Sequence, residues 1–229
     1  MGAVDRGFLS TNPAASVRAP RERRALKERT KYLSAGEAEL LFRAMPTDNG
    51  RIKPLRDRAM IALMMLEGLR RVEIERACVA DIETVPGGDI RILVRGKGKE
   101  RFIYPREDTA AALLVYLELR GQVPADATGE PIFVQMRKGG KLEGRITRIG
   151  VNKVVDHYLL KAGLKKPGLS CHALRHTCGA LLYQATRDVR AVQETLGHEN
   201  IATSAGYAHI VERSKMRYTR EIPVGLTRI

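Results

Sequence analysis

Three of the five histidines in this 229-residue chain fall between positions 172 and 198, among other polar reactive groups. The segment HALRH (172–176) sets His172 and Arg175 three residues apart, on one face of a helix. A single histidine on a helix is ordinarily a structural residue. His172 and His176 also have the i, i+4 spacing of a zinc pair, but Ala173 stands where a zinc peptidase carries its catalytic Glu, which argues against a metal site. The His–Arg combination suits a phosphodiester better. Arg presents a planar fork to two oxygens, and His adds a donor or a proton acceptor. LGH (196–198) follows, where Gly197 offers a helix break that turns His198 back toward the same place. Nine residues beyond His198 comes Tyr207, in the small-residue setting TSAGYAHI; Tyr158 and Tyr183 read as packing residues.

HALRH, then LGH, then a tyrosine nine residues on resembles the carboxyl-terminal signature of the tyrosine recombinases, the phage-integrase family. Upstream, EGLRRVEIERACVADI (67–82) resembles the family's first box, with Arg70 matching its catalytic arginine; the GLR motif selects Arg70 over the adjacent Arg71. RGKGKERFIYP (95–105) resembles its hairpin, with Lys97 matching the catalytic lysine and Lys99 left as a phosphate contact. Four motifs in order and spacing cover residues 30–219, and the likeness is closest to Xer-type members. The resemblance implies the mainly α catalytic-domain fold and a six-residue site: Arg70, Lys97, His172, Arg175, His198 and Tyr207. It places Glu73 beside an arginine as an orienting residue, and His176 and His209 as supporting or packing residues. Gly206 stands where many relatives have a larger side chain, which leaves the resting position of Tyr207 open.

The chemistry needs these residue types. Attack on a phosphodiester builds negative charge on five-coordinate phosphorus, which two guanidiniums, Arg70 and Arg175, neutralise and hold in line. A tyrosine hydroxyl, with a pKa of about 10, is a poor nucleophile until a neighbour such as His172 removes its proton. Lys97 delivers a proton to the leaving 5′ oxygen, and His198 donates to a non-bridging oxygen. The 3′-phosphotyrosine keeps the bond energy, so rejoining is expected to need neither ATP, metal nor any other cofactor.

Helices dominate the elements that must position these groups. Ser34 and Glu37 form a capping box that opens a helix through Leu40, Leu41 and Met45. A second helix runs from about Pro54 to about Gly68, through the apolar run 59–66, which is too continuous for a single stripe and predicts burial on several sides. A short helix follows from Arg71 to about Cys78. Residues 90–94 alternate apolar and basic, and with 101–104 they predict a hairpin around a basic glycine-containing tip. Helix is expected at 107–120, a short strand at 131–135, helix near 146–162, and almost continuous helix from Ser170, broken at 187–188, 197–198 and Pro223. The expected architecture is mainly α with one small antiparallel sheet.

Composition narrows the function classes. Apolar residues are 44% and charged residues 29%, which excludes a wholly disordered chain. Forty Lys and Arg against 26 Asp and Glu give a net charge of +14, which points to a polyanion, nucleic acid before an anionic membrane surface. The longest apolar run is eight residues, against roughly 20 for a spanning helix. The first residues lack the basic start and apolar stretch of a secretory signal, and Arg6 spoils a myristoylation reading. Cys78, Cys171 and Cys178 lack CxxC spacing, which suits a reducing cytoplasm rather than a disulfide framework.

Three segments are expected. Residues 1–31 form a basic arm, a linker following a missing core-binding domain, with seven basic side chains in 17–31. Residues 32–220 form the catalytic domain. Residues 221–229 form a tail whose Ile222, Val224, Leu226 and Ile229 either pack back onto the chain's own core or, as the resemblance implies, dock on a neighbouring protomer. The charge points to double-stranded DNA as partner, and the resemblance implies a homotetramer on paired recombination sites, with accessory DNA-bending proteins as further partners. The rival readings are a type IB topoisomerase-like strand transferase and a non-catalytic DNA-binding protein of the same fold. An RNA-binding module has little support, with aromatics at 5% and no matching motif.

Overall fold

Ser34 starts the first helix as its neighbours dictate. Its hydroxyl accepts from the Glu37 amide at 3.3 Å, and the Glu37 carboxylate accepts from the Ser34 amide at 2.9 Å, closing a reciprocal capping box ahead of α1 (Ala35–Arg43). The chain, described here from a computed structural model, is seen over residues 32–46, 51–96, 100–121, 129–136 and 141–197. The arm 1–31, Lys97, Lys99, His198, Gly206, Tyr207, His209 and the tail 221–229 lie outside the described residues.

Helix α2 (Ile52–Met65) carries Pro54 in its first turn, where a missing amide proton costs nothing. Every residue from Ala59 to Met65 is buried, so α2 is the central rod and packs chiefly against α4 (Glu107–Arg120) and α6 (Cys171–Thr186). At its start, the buried Arg56 holds Asp57 Oδ1 with Nε at 2.8 Å and reaches the Val134 carbonyl with Nη1 at 2.8 Å. A buried charge pair of this kind is tolerated because each ion finds a partner.

After α2 come α3 (Arg71–Arg76), a 3₁₀ turn (Val79–Asp81) and an antiparallel sheet in the order β1-β2-β3. These strands are β1 (Ile82–Thr84), β2 (Ile90–Arg95) and β3 (Glu100–Ile103). Alternation along β2 buries Ile90, Ile92 and Val94, as the period of two requires. The register sets Ile92 opposite Ile103 and Arg95 opposite Glu100.

The mainly α class with a small antiparallel sheet holds, and the structure adds a second sheet. Strands β4 (Val134–Met136) and β5 (Leu142–Arg145) pair antiparallel. β5 reads LEGR and is largely exposed, so no apolar alternation announces it. Its anchor is Arg145, whose Nη1 donates to the carbonyls of Glu75 at 2.8 Å and Ala77 at 3.2 Å. β1 also lies outside the sequence expectation; three residues are too few to show a period.

Helix α5 (Arg148–Lys161) starts at Thr147, whose hydroxyl accepts from the Gly150 amide at 3.1 Å. Helix α6 ends at Arg187, left-handed at φ 57°, and Asp188 caps α7 (Val189–Leu196) by accepting from the Arg190 amide at 2.7 Å. Tyr158 and Tyr183 are buried, as expected of packing residues. No helix among the described residues is long and apolar enough to cross a membrane.

The burial pattern of α2 has a measurable consequence. Leu63→Ala, at a fully buried site, is expected to cost about 2–5 kcal/mol in urea unfolding. Leu160→Ala, on the exposed side of α5, should stay within about 0.5 kcal/mol. Similar losses at both positions would contradict the assignment of α2 as the core rod.

Candidate functional site

The chain leaves α2 through a turn that requires glycine. Gly68 has φ +71°, and a Cβ there would run into the Leu196 side chain and lie 3.3 Å from Cys178 Sγ. Two residues further, Arg70 forms the N-cap of α3. A guanidinium cannot accept a hydrogen bond, so only half of a capping box exists here: Glu73 Oε2 accepts from the Arg70 amide at 2.8 Å. The other carboxylate oxygen, Oε1, accepts from Arg70 Nη1 at 2.8 Å. Glu73 therefore fixes both ends of Arg70.

Arg175 sits one turn into α6 and is only 8% exposed. It donates Nη1 to the Gly68 carbonyl and Nη2 to the Leu196 carbonyl, so one guanidinium ties α6 to the turn after α2 and to the end of α7. Arg70 Nη2 reaches the next carbonyl, that of Gly197, at 3.4 Å. Helix α7 ends there, with Gly197 left-handed at φ 59°. The last carbonyls of a helix lack intrahelical partners and carry the negative end of its dipole. Two arginines satisfy them here, and this brings Arg70 and Arg175 to one corner of the molecule.

His172 lies exposed on the first turn of α6, one turn before the buried Arg175. The two share a face but not a depth: His172 is at the rim and Arg175 beneath. His176 is half-buried, and burial first, then the charges of His172 and Arg175, hold its imidazole below the ordinary 6.5, which keeps it neutral. Cys171 and Cys178 are poor nucleophiles. Burial, then the charge of Glu67, pushes the Cys178 thiol up to about 12, and burial pushes Cys171 up to about 11.

Glu73 has the orienting geometry expected of it, and it holds a second arginine that the sequence analysis missed. Arg101 of β3 donates Nη1 to Glu73 Oε1 at 2.9 Å and Nη2 to Oε2 at 3.2 Å. A signal for it existed. Residues 101 and 103 share a strand face, and the inward Ile103 marks that face as the buried one, leaving Glu100 and Phe102 exposed. Burial pushes the Glu73 carboxyl up, but the hydrogen bonds and charges of Arg101 and Arg70 outweigh it and hold the group below the ordinary 4.5.

Gly68→Ala should lose about 2–4 kcal/mol, combining left-handed strain with the clash against Leu196. Gly36→Ala, on α1 with open space around it, should gain up to about 1 kcal/mol in the same assay. A neutral Gly68→Ala would remove the turn's claim on glycine. The depressed Glu73 carboxyl also gives a sign in pH. Its contribution to stability is present above pH 4.5 and is lost as the pH falls through the lower folded value. Acid unfolding of Glu73→Gln should lack that component.

Comparison with known proteins supplies the family. Residues 31–225 match the phage integrase family. The tyrosine recombinase XerC of Vibrio cholerae serotype O1 is 35% identical over 205 residues, 90% of this chain and 61% of that protein. XerC of Leptospira interrogans is 33% identical over 219 residues, 94% of this chain and 66% of that protein. The chain thus spans about three fifths of the Vibrio relative's length. Among solved structures, the XerH site-specific recombinase bound to palindromic difH substrate, a post-cleavage complex, superposes with a TM-score of 0.68 at 25% identity. That match covers 83% of this chain and 53% of the other. The XerA recombinase gives a TM-score of 0.66 at 28% identity, covering 85% of this chain and 66% of its own. With its family segment running through every described residue and its two arginines meeting at the end of α7, the chain belongs to the phage integrase family.

Proposed function

We propose that this chain is the DNA-cleaving part of a site-specific tyrosine recombinase. The observation that carries the reading is the convergence of Arg70 and Arg175 on the consecutive carbonyls of Gly197 and Leu196, in a family member 35% identical to a tyrosine recombinase. Arg70 and Arg175 grip the scissile phosphodiester and stabilise charge on its oxygens as phosphorus becomes five-coordinate. Tyr207 attacks phosphorus after losing its proton to His172. The bond to the 5′ oxygen breaks as Lys97 protonates that oxygen, and His198 donates to a non-bridging oxygen. The product is a 3′-phosphotyrosine and a free 5′ hydroxyl. Attack by the 5′ hydroxyl of another strand reverses the sequence and rejoins DNA, with no ATP or metal required.

Residues 1–31 serve as a basic arm that follows DNA, 32–220 as the catalytic domain, and 221–229 as a tail that docks on a neighbouring protomer. The active assembly is a homotetramer on two paired sites, helped by accessory DNA-bending proteins, and it works in the cytoplasm. The net charge of +14 supports a DNA partner.

A nicked suicide substrate, which lets the cleaved 5′ fragment diffuse away, tests the chemistry on a denaturing gel. A covalent protein–DNA adduct is expected from the unaltered chain and none from Tyr207→Phe, with DNA affinity nearly unchanged. An adduct from the Phe variant would reassign the nucleophile, with Tyr218 next in line, since Tyr183 is buried as a packing residue. Loss of Lys97 should slow cleavage of an ordinary 5′ oxygen severely and of a 5′ sulfur leaving group little, because sulfur needs no proton. Equal defects on both substrates would contradict the general-acid role.

A further inference from the structure

Resting on the recombinase reading, we propose that Arg101 is a positioning residue for cleavage: its bidentate hold on Glu73 and its packing against Gly197 lock Arg70 in place.

The Glu73 carboxylate is completely buried, with its side chain 0% exposed, and it serves two arginines at once. Oε1 takes Arg70 Nη1 at 2.8 Å and Arg101 Nη1 at 2.9 Å; Oε2 takes the Arg70 amide at 2.8 Å and Arg101 Nη2 at 3.2 Å. A carboxylate engaged by a guanidinium fork on one side has no rotation left about its own axis. Its remaining geometry is therefore imposed on Arg70. Charge points the same way. One buried negative charge between two guanidiniums leaves the group net positive, so Arg70 keeps its attraction for a phosphate rather than spending it on Glu73 alone.

Arg101 also touches the second wall of the corner. A Cβ on residue 197 would lie 3.1 Å from Arg101 Cδ, 3.2 Å from Nε and 3.3 Å from Cζ, so the Arg101 side chain packs closely against Gly197. Arg101 Nε is buried there with no hydrogen-bond partner among the described residues. Arg70 donates to the carbonyl of that same Gly197. Arg101 thus braces Arg70 through Glu73 from one side and through Gly197 from the other, from a strand that begins three residues after Lys97. Lys at position 101 would keep the charge and lose the fork.

The test combines a double-mutant cycle with a titration. Cleavage of the nicked suicide substrate is timed for the unaltered chain, Arg101→Gln, Arg70→Lys and the double variant. Arg101→Gln should slow adduct formation roughly 10- to 100-fold with DNA affinity within about threefold, and Arg101→Lys should recover part of the rate. In the Arg70→Lys background the same Arg101→Gln change should cost less than about threefold, because the residue it positions is already lost. Equal losses in both backgrounds, or no loss in either, would overturn the proposal. Should the unaltered chain form no adduct, the recombinase reading fails, and the brace is still read by carbon-13 titration of the Glu73 carboxyl. Its midpoint should rise in Arg101→Gln and partly return in Arg101→Lys; an unmoved midpoint would overturn the brace itself.

Discussion

A buried arginine holds this site together. Arg175 has entered the interior at the start of α6, where an unpaired guanidinium would cost several kcal/mol, and two backbone carbonyls make its position tolerable. Both carbonyls belong to places where regular structure stops: Gly68 in the turn after α2, and Leu196 at the end of α7. The helix ends need donors, and the guanidinium needs acceptors. The arrangement solves both requirements with the same bonds. It also explains the glycine at 68, since only a left-handed residue without a Cβ brings that carbonyl to Arg175 while Leu196 packs above it.

The rest of the corner follows from this clamp. Once Leu196 O is taken, the next carbonyl of α7 falls within reach of Arg70, and Glu73 fixes Arg70 from the opposite side through both its amide and its guanidinium. Two cations are held close by backbone carbonyls and one buried carboxylate. Such preorganisation is what a phosphoryl-transfer site needs, because donors already in place do not have to reorganise as charge develops on phosphorus. The lowered imidazole of His176 limits how much further positive charge accumulates beside Arg175.

Much of this was legible in the sequence, for physical reasons. Long helices announce themselves by period and caps: the Ser34–Glu37 box, the run 59–66 and the limits of α4 all appear where the residues placed them. GLR and HALRH marked Arg70 and Arg175 because their spacing is a resemblance as well as a geometry. The sequence was silent where backbone rather than side chains decides. β5 forms although LEGR has no apolar face, held by ladder pairing and by Arg145. The depth of Arg175 below His172 depends on α7 and the Gly68 turn, which no helical spacing reveals. Arg101 was hidden by its company: amid KGKER it reads as one more phosphate-seeking cation, and only the inward face shared with Ile103 separates it from them.

The Arg175 clamp can be observed without DNA or turnover. In protein labelled with nitrogen-15 at arginine, a guanidinium held by two carbonyls rotates slowly about its Cζ–N bonds and exchanges its protons slowly with water. The Arg175 signals, assigned by their loss in Arg175→Lys, should therefore show separate, slowly exchanging Nη protons at neutral pH. A single averaged Nη signal exchanging as fast as that of exposed Arg43 would show that the Gly68 and Leu196 carbonyls do not hold Arg175, and the account of the site would fall with it.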